Sequence, residues 1–209
     1  MNIFVVDNCP KISAQNLCNK HVVKMIIETA QMLSTAHRVL DGMPYIDKTS
    51  NGRKITRYKH PYTNFDLNLC KAVMKNHPCT KWCMETYGNY EWLYQHGFEL
   101  LREYTHRYEK QHSMELLYKV YLSCPPRLLC LPIRNENITP FAQAMPDKYK
   151  DKDAVVAYRN YYLGEKARFA EWKKRNPPEW YSEGLTSKDS VVQYTHQREN
   201  SNGETAMLI

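Results

Sequence analysis

The chain has 209 residues, with 43% hydrophobic and 24% charged side chains and a formal net charge of +7. That size and balance suit one substantial soluble, globular domain, and no apolar run approaches the roughly 20 residues that a membrane span needs. The basic excess permits a nucleic-acid partner without demonstrating one.

The N-terminus, MNIFVVDNCP, has no basic region followed by an apolar one, so no secretory signal is expected. Seven cysteines, an odd count, then read as reduced thiols of a cytoplasmic protein, in the host cytoplasm if the chain is virus-encoded. Residues 3–6 form a short extended apolar segment. Asp7 or Asn8 is placed to cap a helix with Pro10 in its first turn, and the helix is expected to run to about Leu40 and stop at Asp41-Gly42. Residues 43–63 read as a loop or small hairpin, with Asn51-Gly52 in the turn region.

A second helix is expected over 65–75, a break at Asn76-His77-Pro78, and a long aromatic helix from Cys79 to about Gln111, with Gly88 or Gly97 as points of bending. A shorter helix fits 113–123, and the Pro-rich stretch 124–152 reads as a long ordered connection. The last helix is expected over about 153–175, stopped by Asn176-Pro177-Pro178. After Ser182 the composition turns polar. The expectation is therefore an all-α, compact single-domain fold over 1–181, with long N-terminal, central and C-terminal helices, little or no sheet, and a peripheral or flexible tail at 182–209.

One helix carries an unusual pattern. Between Leu17 and Leu40, His21, Lys24, Glu28, Gln31 and Thr35 recur at steps of three and four and share a face, while Val22, Val23, Met25, Ile26, Ile27, Ala30, Met32 and Leu33 surround them. A helix apolar over most of its circumference is expected to be largely buried. Charged groups on it must be paired or face a cleft. That makes Glu28 the leading candidate for acid/base chemistry; the plain alternative is an ordinary Lys24–Glu28 pair four residues apart.

Cys79-x-x-x-Cys83 with His77 nearby falls short of a four-ligand zinc pattern, so no metal and no cofactor is expected. Phosphate-loop, dinucleotide and hydrolase-elbow motifs are absent. Residues 53–62 interleave Arg53, Lys54, Arg57, Lys59 and His60 with Tyr58 and Tyr62, a composition suited to phosphate contact and base stacking, or to a solvated hairpin. The last predicted helix adds a second basic surface that includes Arg168.

The order of these elements resembles the phage pyrimidine-dimer DNA glycosylase (endonuclease V) family. The likeness rests on Leu17, His21 and Glu28 on the first helix, the basic loop after it, the aromatic central helix, and the closing Pro178-x-Trp180-Tyr181. The segment H-V-V-K-M-I-x-E-T-A-Q also resembles phage-encoded relatives. The resemblance implies a cofactor-free DNA glycosylase, possessing AP-lyase activity in the family's pattern, that opens a duplex at a damaged or modified pyrimidine. An N-terminal α-amine attacks the sugar C1′ and forms an imine; α-amines titrate near about 8, which leaves a neutral fraction at pH 7. Mapped onto this chain, the catalytic set is Glu28 with the amine of Met1, or of Asn2 after processing, and His21 and Lys24 shaping the surroundings. Ile27 and Thr29 stand where the family has arginines beside its glutamate, so phosphate contacts fall to Arg53, Lys54 and Arg57. The implied DNA face comprises those residues with Tyr58, Lys59, His60, Arg168, Trp180 and Tyr181. The implied partner is double-stranded DNA, with no membrane and a monomer favoured. A second reading keeps open a non-enzymatic protein binding nucleic acid or a host factor, or the same fold acting on a modified base without imine chemistry.

Overall fold

The computed structural model describes residues 1–130 and 134–186. Two helices open the fold where one was expected: α1, Pro10–Asn16, with proline in its first turn, and α2, Asn19–Leu40. The interruption at Leu17-Cys18 is stabilised from far along the chain. Cys18 N–H donates to the Tyr162 hydroxyl (3.1 Å) and Asn19 N–H to the Glu171 carbonyl (2.8 Å), so the backbone groups freed by the break are satisfied.

Directly after α2 comes an antiparallel hairpin, β1 Met43–Lys48 and β2 Lys54–Lys59, in the register Met43↔Lys59 to Lys48↔Lys54. Gly52 supplies the left-handed conformation of the turn, at φ 78°. The fold is thus mostly helical with one small sheet among the described residues, and the hairpin is the form that the loop-or-hairpin region takes. β1 is exposed along its whole length, so the hairpin projects from the core rather than covering it.

The next helix, α3, covers only Thr63–Asn68, shorter than the expected 65–75. The buried Arg38 explains the difference. Its guanidinium donates to the carbonyls of Tyr58, Asp66, Leu69 and Cys70 and to Asp66 Oδ1, at 2.7–3.0 Å. Carbonyls turned toward Arg38 are lost to a helix, and Val73 pairs with the Thr35 hydroxyl instead.

The expected long aromatic helix is also two: α4, Pro78–Cys83, and α5, Tyr87–Tyr108. Thr86 restarts the chain by accepting from Asn89 N–H (3.0 Å). Gly88 and Gly97, both within α5, permit close approach. A Cβ on Gly88 would lie 2.3 Å from the Glu136 carbonyl oxygen, and one on Gly97 would lie 2.5 Å from the Tyr118 hydroxyl. α6, Glu115–Leu117, continues into a π-helical turn, Tyr118–Leu122, that brings Tyr118 there.

The final helix departs most from expectation. α7 runs Ala154–Tyr161, capped by Asp153, then widens into a π turn, Tyr162–Lys166, and tightens into a 3-10 turn, Ala167–Phe169. Beyond it, Trp172 Nε1–H donates to the Asn16 carbonyl (3.0 Å) and Lys173 N–H to Asn19 Oδ1 (2.8 Å), non-helical bonds that pin this segment to the α1–α2 junction. A last helix, α8, covers 179–186 and takes in the first residues of the expected tail; the rest of the tail lies outside the described residues.

The core forms where α1 and α2 pack on α5, with Ile3, Val5 and Val6 of the N-terminal segment wholly buried among them. A charged knot closes one end. Glu103 (2% exposed) accepts from Arg107 Nε (2.7 Å) and from Arg175 Nε and Nη2 (3.0 and 2.9 Å), while Arg107 (0% exposed) also reaches Asn19 Oδ1 and the Gln15 carbonyl. Glu103→Ala is expected to destabilise the fold by about 3–5 kcal/mol, because it strands a buried guanidinium; the midpoint of urea unfolding measures it, and a change below about 1 kcal/mol would contradict the reading.

Candidate active site

The N-terminal segment curls back onto α2. Asn2 fixes the bend: its Nδ2 donates to the Ala144 carbonyl (2.8 Å), and its Oδ1 accepts from the N–H groups of Ile3 (2.7 Å) and Phe4 (3.3 Å). Phe4 follows at φ 42°, a left-handed conformation rare for a bulky residue. This bend delivers the start of the chain to the middle of α2. Asn2 N–H donates to Glu28 Oε2 (3.1 Å), and the Met1 α-amine lies 3.9 Å from the same oxygen. Lys24 Nζ meets the other oxygen, Oε1, at 3.2 Å.

The expected pair between residues four apart is therefore present, as one of three contacts to a carboxylate that is only 16% exposed. Val23 and Ile27 flank it at the surface, 37% and 38% exposed, against the expectation that they were buried. The face of α2 at Glu28 thus presents a carboxylate, an ammonium and a short apolar strip, while Thr35, further along the expected polar stripe, is fully buried.

His21 sits one turn below Lys24, 5% exposed. Its ring stacks on Phe4 (4.2 Å between centroids) and meets Phe169 edge-on (5.7 Å). Its Nδ1 lies 2.5 Å from the Tyr162 hydroxyl. That hydroxyl oxygen already accepts from Cys18 N–H, so its own proton is free to go to Nδ1, which leaves the ring proton on Nε2. Burial, and then the ammonium groups of Lys166 and Lys24, hold the His21 pKa down at about 3. His21 is a neutral packing and orienting group near neutral pH, not an imidazolium that could act as a general acid.

His77, which the sequence offered only as a neighbour of two cysteines, belongs to this region. Burial first, and then the positive α-amine, lower its pKa, while Glu28 acts in the opposite sense. Its Nδ1 accepts from Cys79 N–H (3.2 Å) at the start of α4. Nearby Cys79 is a buried thiol pushed up to about 11 by desolvation, and Cys83 is raised further, so neither is a poised thiolate. Phe4, Tyr162, Phe169 and the Ala144 carbonyl also complete the site, and no local signal in the sequence marked them.

The expected DNA-face residues do not all come together. Lys20 lies over the Phe169 ring (5.0 Å), as does Arg168 (5.7 Å), so cations gather on the His21 side of α2. Arg53, Lys54 and Lys59 are exposed on the hairpin, and Arg57 and Tyr58 are half-buried there. His60 is 2% exposed and Tyr181 6%, which takes both off the surface. Their rings fill spaces beside Phe65 and Trp172 instead. Trp180 is half-buried, edge-on to Tyr162 at 5.9 Å.

No described helix is long and apolar enough to cross a membrane. A family model described as pyrimidine dimer DNA glycosylase matches residues 1–116, which include the N-terminal bend, all of α2, the hairpin and α5. No curated protein and no solved structure matches the chain.

Proposed function

Since the chain belongs to the pyrimidine dimer DNA glycosylase family, we propose that it excises a damaged or modified pyrimidine from double-stranded DNA with Glu28 as the acid/base group and an N-terminal amine as nucleophile. The observation that carries this reading is the convergence of the Met1 amine and the Asn2 nitrogen on one Glu28 oxygen. Removal of Met1 would make the Asn2 nitrogen the free amine, in contact with the same carboxylate. Either form presents an amine and a base to one reacting carbon.

The neutral amine attacks C1′ of an extruded nucleotide. The C1′–N bond to the base breaks with its electron pair going to the base, which leaves as the anion and takes a proton from water. Glu28 takes the proton that the attacking nitrogen loses and returns it to the ring oxygen as the C1′–O4′ bond opens, giving the imine. Loss of a C2′ proton then expels the 3′ phosphate, the AP-lyase step. Val23 and Ile27 offer apolar surface against the sugar, and Lys24 and Lys20 supply positive charge for the flanking phosphates.

Borohydride trapping tests the reading. Wild-type protein is incubated with duplexes carrying a thymine dimer, uracil, 5-hydroxymethyluracil or an abasic site. The expected result is a covalent adduct mapped to residue 1 or 2. Base release with no adduct would replace the amine by water; neither release nor adduct on any duplex would leave a binding protein.

The hairpin is assigned to phosphate contact. Replacing Arg53, Lys54 and Lys59 together with alanine is expected to lower affinity for damaged and undamaged duplexes alike. The slope of log K against log salt should become shallower by about 2 to 3. An unchanged slope would remove the hairpin from the DNA face.

A further inference from the structure

We propose that the chain holds a divalent transition-metal ion of the zinc class between His37, Asp41 and His60, and that the ion clips the hairpin to the end of α2. His37 lies in the last turn of α2, Asp41 caps that helix, and His60 follows β2 directly. One ligand atom from each lies within 4.8 Å of the other two.

Hydrogen bonding selects the atoms. Tyr90 donates its only hydroxyl proton to the Leu122 carbonyl (2.9 Å), so its oxygen must accept from His37 Nε2–H at 2.9 Å. In neutral His37 the other nitrogen, Nδ1, is then a bare lone pair without a hydrogen-bond partner of its own, and the Cys124 backbone near the ring acts on the charged form only. His60 uses Nδ1 to accept from Tyr62 N–H (3.2 Å), and its Nε2 is likewise buried without a partner. Two unpartnered imidazole nitrogens on residues 1% and 2% exposed are a substantial unmet demand for one small region. Asp41 is already oriented, accepting from the N–H groups of Arg127 (2.8 Å) and Leu128 (3.3 Å), with lone pairs remaining on both oxygens.

Coordination through His60 Nε2 moves the ring proton to Nδ1. The Tyr62 N–H contact, already long, then gives way, an adjustment confined to the 60–62 turn. Two imidazoles and one carboxylate are donors for zinc and its neighbours rather than for magnesium or calcium, which favour all-oxygen cages. Phe65 stacks on His60 (4.9 Å) and lies 5.5 Å from His37, which gives the site one apolar wall, while Asp66 holds the His60 backbone N–H (2.9 Å) from another side. The site is separate from Glu28. Nine residues along a helix are about 13 Å of rise and about half a turn of rotation. Failure of the metal proposal therefore leaves the glycosylase reading untouched, and the reverse also holds.

The test uses the full-length chain without a metal-binding tag, stripped with a chelator and dialysed against Zn²⁺ or Co²⁺ alone. About one ion per chain should bind, raising the unfolding temperature. The Co²⁺ form should show four-coordinate visible bands with no thiolate-to-cobalt charge-transfer band, since no cysteine is a ligand. Asp41→Asn and His60→Ala should each weaken binding by at least about 100-fold. Should both variants misfold, the wild-type stoichiometry and cobalt spectrum still decide. Absence of binding by the wild type, a thiolate band, or affinity indifferent to both substitutions overturns the proposal.

Discussion

Glu28→Gln is expected to lower base release by about 10²–10⁴-fold, the range for removing a positioned acid/base group. The fold should survive, because Glu28 is a partly exposed residue on the outer face of α2 and Gln keeps an oxygen for the Asn2 N–H bond. A structural pair alone would behave differently. Losing a Lys24–Glu28 contact four residues apart would change stability by only tenths of a kcal/mol and leave turnover intact. Single-turnover base release, measured beside the unfolding midpoint, separates the two. Activity within threefold of wild type would end the case for Glu28 as the proton-handling residue. Lys24→Ala is the companion variant: it removes the other half of that pair without removing the carboxylate, and much of the activity should remain.

Acidification should unfold this protein well above the carboxylate range. His21, His37 and His96 all have pKa values held at about 3, each by burial first, with the charges of Lys166 and Lys24 adding to it at His21. His96 is wholly buried, stacked on Trp92 at 5.1 Å, with neither ring nitrogen partnered. In the unfolded chain each titrates near 6.5. The folded value is the lower one, so this stability is fully present above about 6.5 and is lost as pH falls toward 3. Each imidazole contributes a slope of about 1.4 kcal/mol per pH unit, so the three together give about 4. Across the pH range 6.5 to 5 the loss is about 5 kcal/mol, a large part of the total stability of an ordinary domain. Glu103 adds its own loss only at lower pH. Burial opposes its ionisation, but the bonds from Arg175 and Arg107 leave its pKa below the usual glutamate value. Urea midpoints at half-unit steps of pH measure the slope, and His96→Leu should flatten it by about a third. A flat profile between pH 7 and 5 would mean that these rings are not buried as neutral groups.

The site was legible in part, and the legible part is local. Spacing along α2 put His21, Lys24 and Glu28 on one face, and Asn51-Gly52 marked the hairpin turn. Nothing in that spacing distinguished a surface ion pair from a carboxylate that also meets the start of the chain. His60 looked like a DNA contact because basic-aromatic composition does not report burial, and Tyr181 because a resemblance in the closing Pro178-x-Trp180-Tyr181 does not report it either. Val23 and Ile27 looked buried for the complementary reason: the apolar arc of α2 is wider than the surface that α5 and its neighbours cover.

Periodicity within α2 and α5 and the proline starts of α1 and α4 are properties of short stretches, and they placed those helices in the sequence. The breaks at Leu17-Cys18 and Met84–Thr86, the early end of α3 and the widening of α7 into a π turn depend on partners far along the chain. Tyr162 reaches His21 across 141 residues, and Asn2 reaches Ala144 across 142. A helix stops wherever some other group offers its backbone N–H and C=O a better partner. Those partners are set by packing, so the apposition of the N-terminal amine with Glu28, and with it the chemistry proposed here, arises only once the whole chain has closed around α2.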